Sequence, residues 1–316
     1  MARLFKISRW LPLALLLALT CRSAAQGVAS PGTPRPFFDR KPAANQQPPR
    51  DIPLVERKWE ELSHKELSED GKKALEIAPT KWRHAETENF VLHFRRVTEA
   101  QKVAREVEYN LWYVATTLGA TKDRYAKKSH VYVFEDTAEW ADFLQKSKQK
   151  MTWAASFAYG DELFLNVRGE GGSGFESQIL AHETTHAVVA RLFPRTRWPL
   201  WLNEGFAEYM GGASVAARKG QTVKRHQAEL RMAEMPLSTL ESITVYPPDQ
   251  EQIGQLYQTS EKFMRFLMNE LPKDRIVKFI DTVLAGKSMR EAVLEVYADK
   301  VKDWPDFEKR FARFSK

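Results

Sequence analysis

Apolar and polar side chains alternate along several short stretches in the first half of the chain, a pattern that is typical of β-strands. The clearest stretches are 89–94 and 130–134, in which most residues are apolar or aromatic. Residues 157–159 and 162–167 show the same pattern and predict a hairpin-like pair. These stretches together predict a small mixed sheet.

Other stretches repeat their apolar residues at the spacing of a helix. The predicted helices lie at 98–118, 137–145, 215–232, about 250–271 and, as two or three pieces broken near Gly286 and Trp304, 274–316. Pro272 ends the helix before it, because proline cannot continue the hydrogen-bond pattern. Strands and helices precede residue 175, and almost only helices follow it. This order predicts an α+β fold, in which a small sheet packs on one helix and a mostly helical C-terminal lobe follows.

The first 25 residues have the layout of a secretory signal peptide. Basic residues precede an apolar run from Trp10 to Leu19, and small residues at 23–25 follow it. The run is too short for a comfortable membrane span. We therefore expect cleavage after Ala25, a periplasmic or secreted protein, and no stable membrane span afterwards. A lipoprotein anchored at Cys21 is the less favoured alternative, because the preceding residues match a lipobox poorly.

Composition changes this picture in three ways. Removal of the signal peptide takes away four positive charges and no negative ones, which lowers the net charge from +7 to +3. The remaining basic groups are scattered, so nucleic-acid binding is not expected. Cys21 is the single cysteine, so the mature chain has no disulfide and must be stabilised by its core.

The chain divides into four segments by composition. The signal peptide is followed at 26–55 by a Pro- and Gln-rich stretch with few large apolar groups, which predicts a disordered linker. Residues 56–85 alternate charged and apolar groups and predict one or two short helices. A globular domain is expected over 86–316.

One motif carries chemistry. The sequence His182-Glu183-Thr184-Thr185-His186 has the form H-E-x-x-H. Residues four apart lie on one face of a helix, so the imidazoles of His182 and His186 can converge on one metal ion. Glu183 points to the side of that pair, where a general base for water must stand. Two imidazoles and one carboxylate leave the fourth position of a tetrahedral zinc site open, and Glu204 is the best candidate for the third ligand.

The surroundings of the motif favour the metal site over its alternative, an amphipathic helix with two histidines that bind nothing. Ser173 and Glu176 are spaced as a capping box at the start of the motif helix. Glu204 lies within an otherwise apolar run, where a carboxylate without a partner would be costly to bury.

The spacing of these residues resembles that of a known family. The H-E-x-x-H motif, seventeen further residues, and then Glu204 within W-L-N-E-G-F-A-E-Y are similar to the gluzincin zinc peptidases, and in particular to the peptidase MA-like group. The resemblance implies a zincin-like domain that binds one Zn²⁺. The implied ligands are His182, His186 and Glu204, and Glu183 is implied as the catalytic base.

The resemblance also suggests a role for Glu208. In the clan, an acidic residue one turn after the third ligand often accepts a hydrogen bond from the first histidine, and Glu208 matches that position. A ligating histidine generally needs such an acceptor for its second ring nitrogen. The alternatives are a solvated carboxylate or a rival third ligand. The chain lacks the G-x-M-E-N segment of the clan's aminopeptidases, which does not favour exopeptidase activity.

Three further features are candidates for contact with the substrate. In related zinc peptidases a tyrosine on a comparable helix donates its hydroxyl to the oxyanion, which makes Tyr257 a catalytic candidate; a core tyrosine is the alternative. His226 is a second candidate, although its charged neighbours favour an exposed histidine. The stretch 162–167 is expected either to be an edge strand that pairs with an extended substrate or to be an internal strand.

These observations predict a secreted or periplasmic zinc peptidase that hydrolyses peptide or protein substrates with Glu183 as general base. A non-catalytic zinc-binding scaffold of the same fold and a zinc amidase for cell-wall peptides are the alternatives.

Overall fold

The computed structural model describes residues 47–148, 156–168, 177–221 and 233–314. The signal peptide and residues 26–46 of the predicted linker lie outside this part of the chain. The predicted capping box of Ser173 and Glu176 and the candidate His226 also lie outside it.

Within the described residues, six strands form one mixed sheet in the spatial order β1-β2-β3-β4-β6-β5. The strands are β1 (Val55–Arg57), β2 (Arg83–Glu86), β3 (Phe90–Phe94), β4 (Ser129–Phe134), β5 (Ser156–Tyr159) and β6 (Glu162–Asn166). Strands β3, β4 and β6 run parallel, and the remaining pairs are antiparallel. The strands predicted at 89–94 and 130–134 and the predicted hairpin are confirmed.

The helices follow the predicted order closely. They are α1 (Glu69–Glu76), α2 (Val97–Thr117), α3 (Thr137–Lys146), α4 (Ser177–Leu192), α5 (Leu200–Arg218), α6 (Leu237–Ser242), α7 (Gln250–Glu270), α8 (Ile276–Leu284), α9 (Met289–Val296) and α10 (Trp304–Arg313). Side chains of Asp136, Asp249 and Ser288 cap the N-termini of α3, α7 and α9. No helix in the described part of the chain is both long and apolar enough to cross a bilayer.

Helices cover both faces of the central strands, which is why β3 and β4 are buried along their whole length. Helices α2 and α4 pack on one face, where Val131 and Leu163 belong to the main core. Helices α1 and α3 pack on the other face, against an aromatic cluster that includes Tyr132 and Phe164. This mixed α/β arrangement, with the sheet before the motif helix and helices after it, agrees with the predicted α+β class.

The segment 56–85 differs from its prediction. It contains α1, but its two ends belong to β1 and β2, which extend the sheet beyond β3. Strand β1 is short, charged and exposed along its whole length. Edge strands are often built this way, and they leave no alternating apolar pattern in the sequence. The sheet therefore begins before residue 86.

Of the two alternatives for 162–167, the structure shows the internal strand and not the edge strand. Strand β6 lies between β4 and β5 and pairs with both, so Ser156–Tyr159 is the edge strand at this end of the sheet. The chain forms the outer strand β5 first and then turns inward to form β6, which pairs with β4 in parallel. Because β5 and β6 are both largely buried, their side-chain pattern does not distinguish the inner strand from the outer one.

The predicted helix at 215–232 also differs. Its first residues form the end of α5, which stops at Arg218 and is followed by Gly220 in the left-handed region at φ 64°. Glycine adopts this conformation without strain, so it is common just after a helix. Residues 222–232 lie outside the described part.

Candidate metal centre

Helix α4 brings the two histidines of the motif together. His182 and His186 lie one turn apart, and their Nε2 atoms are 2.9 Å from each other. The side chain of His182 is 1% exposed and that of His186 is 13% exposed. The predicted convergence of the two imidazoles on one face is therefore confirmed.

Helix α5 brings Glu204 to the same point, because glycines allow it to approach its neighbours closely. A Cβ atom on Gly205 would lie 2.5 Å from the carbonyl oxygen of Ser260 on α7. A Cβ atom on Gly211 would lie 3.2 Å from the backbone nitrogen of His182 on α4. Larger residues at these positions would push α5 away from α4 and α7, and Glu204 would move with it.

The three donor atoms lie close enough together for one metal ion: the two Nε2 atoms, 2.9 Å apart, are closer than in a tetrahedral site, and the carboxylate oxygen lies near the tetrahedral spacing from both. The Oε2 atom of Glu204 is 3.6 Å from Nε2 of His182 and 3.4 Å from Nε2 of His186. Ligands at about 2.0–2.1 Å from a tetrahedral zinc ion are about 3.3–3.4 Å apart. The same Oε2 atom is buried and has no hydrogen-bond partner. A buried, unpartnered carboxylate oxygen is costly, so this group of residues can hold a metal ion.

The electrostatics of the cluster also favour a bound cation. Burial lowers the pKa of His182 to about 4. Burial would also lower the pKa of His186, but the nearby charge of Glu204 outweighs it and raises that pKa to about 9. The pKa of Glu204 is lowered despite burial, because both imidazoles stabilise its charged form. The buried carboxylate therefore requires one positive charge, which either a proton on His186 or a metal ion supplies.

Glu183 lies beside this cluster and against the sheet. Its side chain is buried, and its Oε2 atom accepts a hydrogen bond of 2.9 Å from the backbone N–H of Ala158 on the edge strand β5. Burial raises the pKa of Glu183 to about 8. The predicted base is thus close to both the predicted ligands and the edge of the sheet.

Glu208 contacts the other side of the first histidine. Its Oε1 atom is 3.4 Å from Nδ1 of His182, the ring nitrogen that faces away from Glu204. Burial and the nearby charge of Glu261 raise the pKa of Glu208 to about 8. Among the described residues, the group that can share a metal ion contains Glu204 and not Glu208. The geometry therefore agrees with a supporting position and not with a rival third ligand.

Two tyrosines complete the surroundings of the cluster. Tyr257 on α7 is buried, and its ring centroid is 6.2 Å from that of His182. Burial raises the pKa of Tyr257 well above its usual value, so its hydroxyl stays protonated and can donate. Tyr246, which the sequence did not indicate, donates its hydroxyl to Oε1 of Glu204 at 2.6 Å. It lies in the irregular segment between α6 and α7, where no spacing relative to the motif reveals it.

Three other histidines form a separate row across the sheet. His84 on β2, His93 on β3 and His130 on β4 are linked by ring-nitrogen contacts of 2.8 Å and 2.9 Å. These contacts use both nitrogens of His93, so the three rings do not converge on a single point. Within the described chain they belong to no metal-binding group.

Comparisons of the chain with protein-family models, with curated proteins and with solved structures give no match. The gluzincin resemblance therefore depends on the motif and its spacing alone. The capacity to bind a metal depends instead on the geometry of the three donors.

Proposed function

We propose that the protein is a zinc-dependent peptidase of the gluzincin type, with a zincin-like domain, that acts on peptide or protein substrates in the periplasm or outside the cell. The observation that carries this proposal is the convergence of His182, His186 and Glu204, with the buried carboxylate of Glu183 beside them. Two imidazoles and one carboxylate are the protein ligands of a catalytic zinc site, which keeps one position open.

The chain's own residues supply the proton transfers. A zinc ion held by the three ligands supplies Lewis acidity, which polarises the peptide carbonyl and activates the attacking water. Glu183 takes a proton from that water and returns it to the leaving amine. Tyr257 donates its hydroxyl to the oxyanion that develops on the peptide carbonyl. Glu208 orients His182 through Nδ1.

The edge strand β5 is the proposed binding surface for the substrate backbone. Because the N–H of Ala158 contacts Glu183, the catalytic carboxylate lies directly against this edge. A peptide that pairs with β5 in an extended conformation would pass Glu183 and the metal ligands. Such pairing supplies affinity through backbone hydrogen bonds and tolerates many side chains.

Glu183→Gln tests the proposal, because it keeps the shape of the side chain and removes its basicity. Cleavage of a peptide library by the mature protein is measured at matched zinc content. General acid–base catalysis contributes about 10²–10⁴ in rate, so the variant is expected to lose about that factor. Glu270→Gln, an exposed position at the end of α7, is the matched control and is expected to keep wild-type activity.

Equal rates for wild type and Glu183→Gln would refute the mechanism. Stoichiometric zinc with no cleavage of any peptide would instead favour a non-catalytic binding protein. Cleavage restricted to peptidoglycan fragments would favour a cell-wall amidase.

A further inference from the structure

The two oxygens of Glu204 have different surroundings. Oε2 faces the Nε2 atoms of both histidines and has no hydrogen bond. Oε1 accepts a hydrogen bond of 2.6 Å from the hydroxyl of Tyr246, a length typical of a strong bond to a charged carboxylate. Asn203 Nδ2 adds a longer contact of 3.4 Å to the same oxygen. Tyr246 is therefore the main partner of the oxygen that does not face the histidines.

The position of Tyr246 is fixed by packing and by the backbone. Its ring packs with Ile253 and Tyr257, and the centroids of the two tyrosine rings are 6.5 Å apart. Pro247 and Pro248 follow it. A residue before proline is restricted to extended conformations, so the segment between α6 and α7 has few ways to move the hydroxyl.

We propose that Tyr246 is a positioning residue that makes Glu204 a ligand through one oxygen only. A carboxylate that is free to rotate can bind a metal ion through both oxygens, and the second oxygen would then compete for the position that a water needs. The hydroxyl of Tyr246 holds Oε1 away from the metal and leaves Oε2 facing it. This inference rests on the proposed metal site and adds a residue that neither the motif nor its spacing identifies.

Tyr246→Phe tests this role, because it keeps the ring that packs on Ile253 and removes only the hydroxyl. The Kd for zinc is measured by competition with a chromophoric chelator. Loss of a hydrogen-bond partner of a metal ligand typically weakens metal binding about 10–100-fold, and we expect a loss of that size. Tyr209→Phe is the matched control, because Tyr209 lies on the same helix as Glu204 and its hydroxyl lies 3.5 Å from Asn269 and not beside a ligand. It is expected to keep the wild-type Kd.

Substitution with Co²⁺ supplies a second readout that a merely structural role would not change. If the second oxygen of Glu204 joins the metal in Tyr246→Phe, the coordination number rises and the visible absorption of Co²⁺ weakens relative to wild type. Tyr209→Phe is expected to keep the wild-type spectrum. Thermal unfolding of the zinc-free chains shows whether the fold is retained.

The results of these measurements distinguish failure of the proposed role of Tyr246 from failure of the proposed metal site. Wild-type protein that binds no zinc would refute the metal site. Tight zinc binding by wild type, together with an unchanged Kd and an unchanged Co²⁺ spectrum in Tyr246→Phe, would overturn the role of Tyr246 alone. If Tyr246→Phe does not fold, Pro247→Ala replaces it, because this variant keeps the hydroxyl of Tyr246 but loosens the backbone beside it. Pro247→Ala is expected to weaken zinc binding, and an unchanged Kd would contradict the proposal.

Discussion

The row of His84, His93 and His130 predicts that the protein loses stability in mild acid. The rings of His93 and His130 are fully buried in the sheet, and Trp59 lies against the rings of His84 and His93. Burial lowers the pKa of His130 to about 4 and that of His93 well below its usual value. Both rings are therefore neutral in the folded protein at pH values where they are protonated in the unfolded chain.

The size of the effect follows from this difference. A histidine in the unfolded chain has a pKa of about 6.5, and each pH unit below it costs about 1.4 kcal/mol per histidine that stays neutral in the folded state. Above about pH 6.5 both histidines are neutral in the folded and the unfolded chain, so they cost no stability. The free energy of unfolding decreases as the pH falls from 6.5 toward 4. Between pH 7.5 and pH 5, His93 and His130 together are expected to remove about 4 kcal/mol, a large share of a typical free energy of unfolding of about 5–15 kcal/mol.

His93→Gln isolates this contribution, because an amide keeps one donor and one acceptor but does not titrate. The free energy of unfolding is measured by urea titration at pH 7.5, 6 and 5, with a chelator present. The ligand histidines titrate equally in both chains and cancel in the comparison. We expect the variant to lose about 1.4 kcal/mol less than wild type per pH unit between pH 6 and pH 5. His64→Gln, at a half-buried position outside the row, should change the slope less. Equal slopes for wild type and His93→Gln would refute the reasoning.

Three further predictions concern the metal centre. Gly205→Ala places a methyl group against Ser260, so it is expected to lower the unfolding free energy by about 1–3 kcal/mol and to weaken zinc binding. A methyl group in Gly212→Ala meets no atom within 4 Å, so this control should stabilise α5 by up to about 1 kcal/mol. Calorimetry and zinc titration check both variants. Glu208→Gln removes the ionisable acceptor beside His182 Nδ1 and should weaken zinc binding about 10–100-fold in the chelator competition; an unchanged Kd would contradict its supporting role. Tyr257→Phe should reduce kcat about 10²–10³-fold in the peptide assay and leave the zinc Kd unchanged. An unchanged kcat would indicate that Tyr257 serves only in the core.

The elements that could be predicted well from the sequence are those with a clear pattern of apolar residues. Helices α2 and α7 and strands β3 and β4 match their predicted positions closely, because each buries a continuous set of apolar residues. The histidines of the motif and Glu204 could also be predicted, since a spacing of four on a helix fixes the first two and the cost of burying an unpaired carboxylate indicates the third.

The parts that the sequence did not predict depend on long-range packing. Strand order depends on how strands pair, and no local pattern in β5 or β6 indicates which of them is the edge. Strand β1 is too short and too charged to show a period. Tyr246 reaches Glu204 because the segment between α6 and α7 folds back over α5, and such a contact between residues 42 positions apart has no signal in the spacing of the motif.

The most direct test of the account is X-ray absorption spectroscopy at the zinc edge, applied to the mature protein after zinc loading and desalting. The proposed metal site predicts one zinc ion per chain, bound by two imidazole nitrogens and by oxygen at about 2.0–2.2 Å, and loss of that ion in Glu204→Ala. A wild-type protein that retains no zinc, or a zinc ion with fewer than two imidazole ligands, would contradict it.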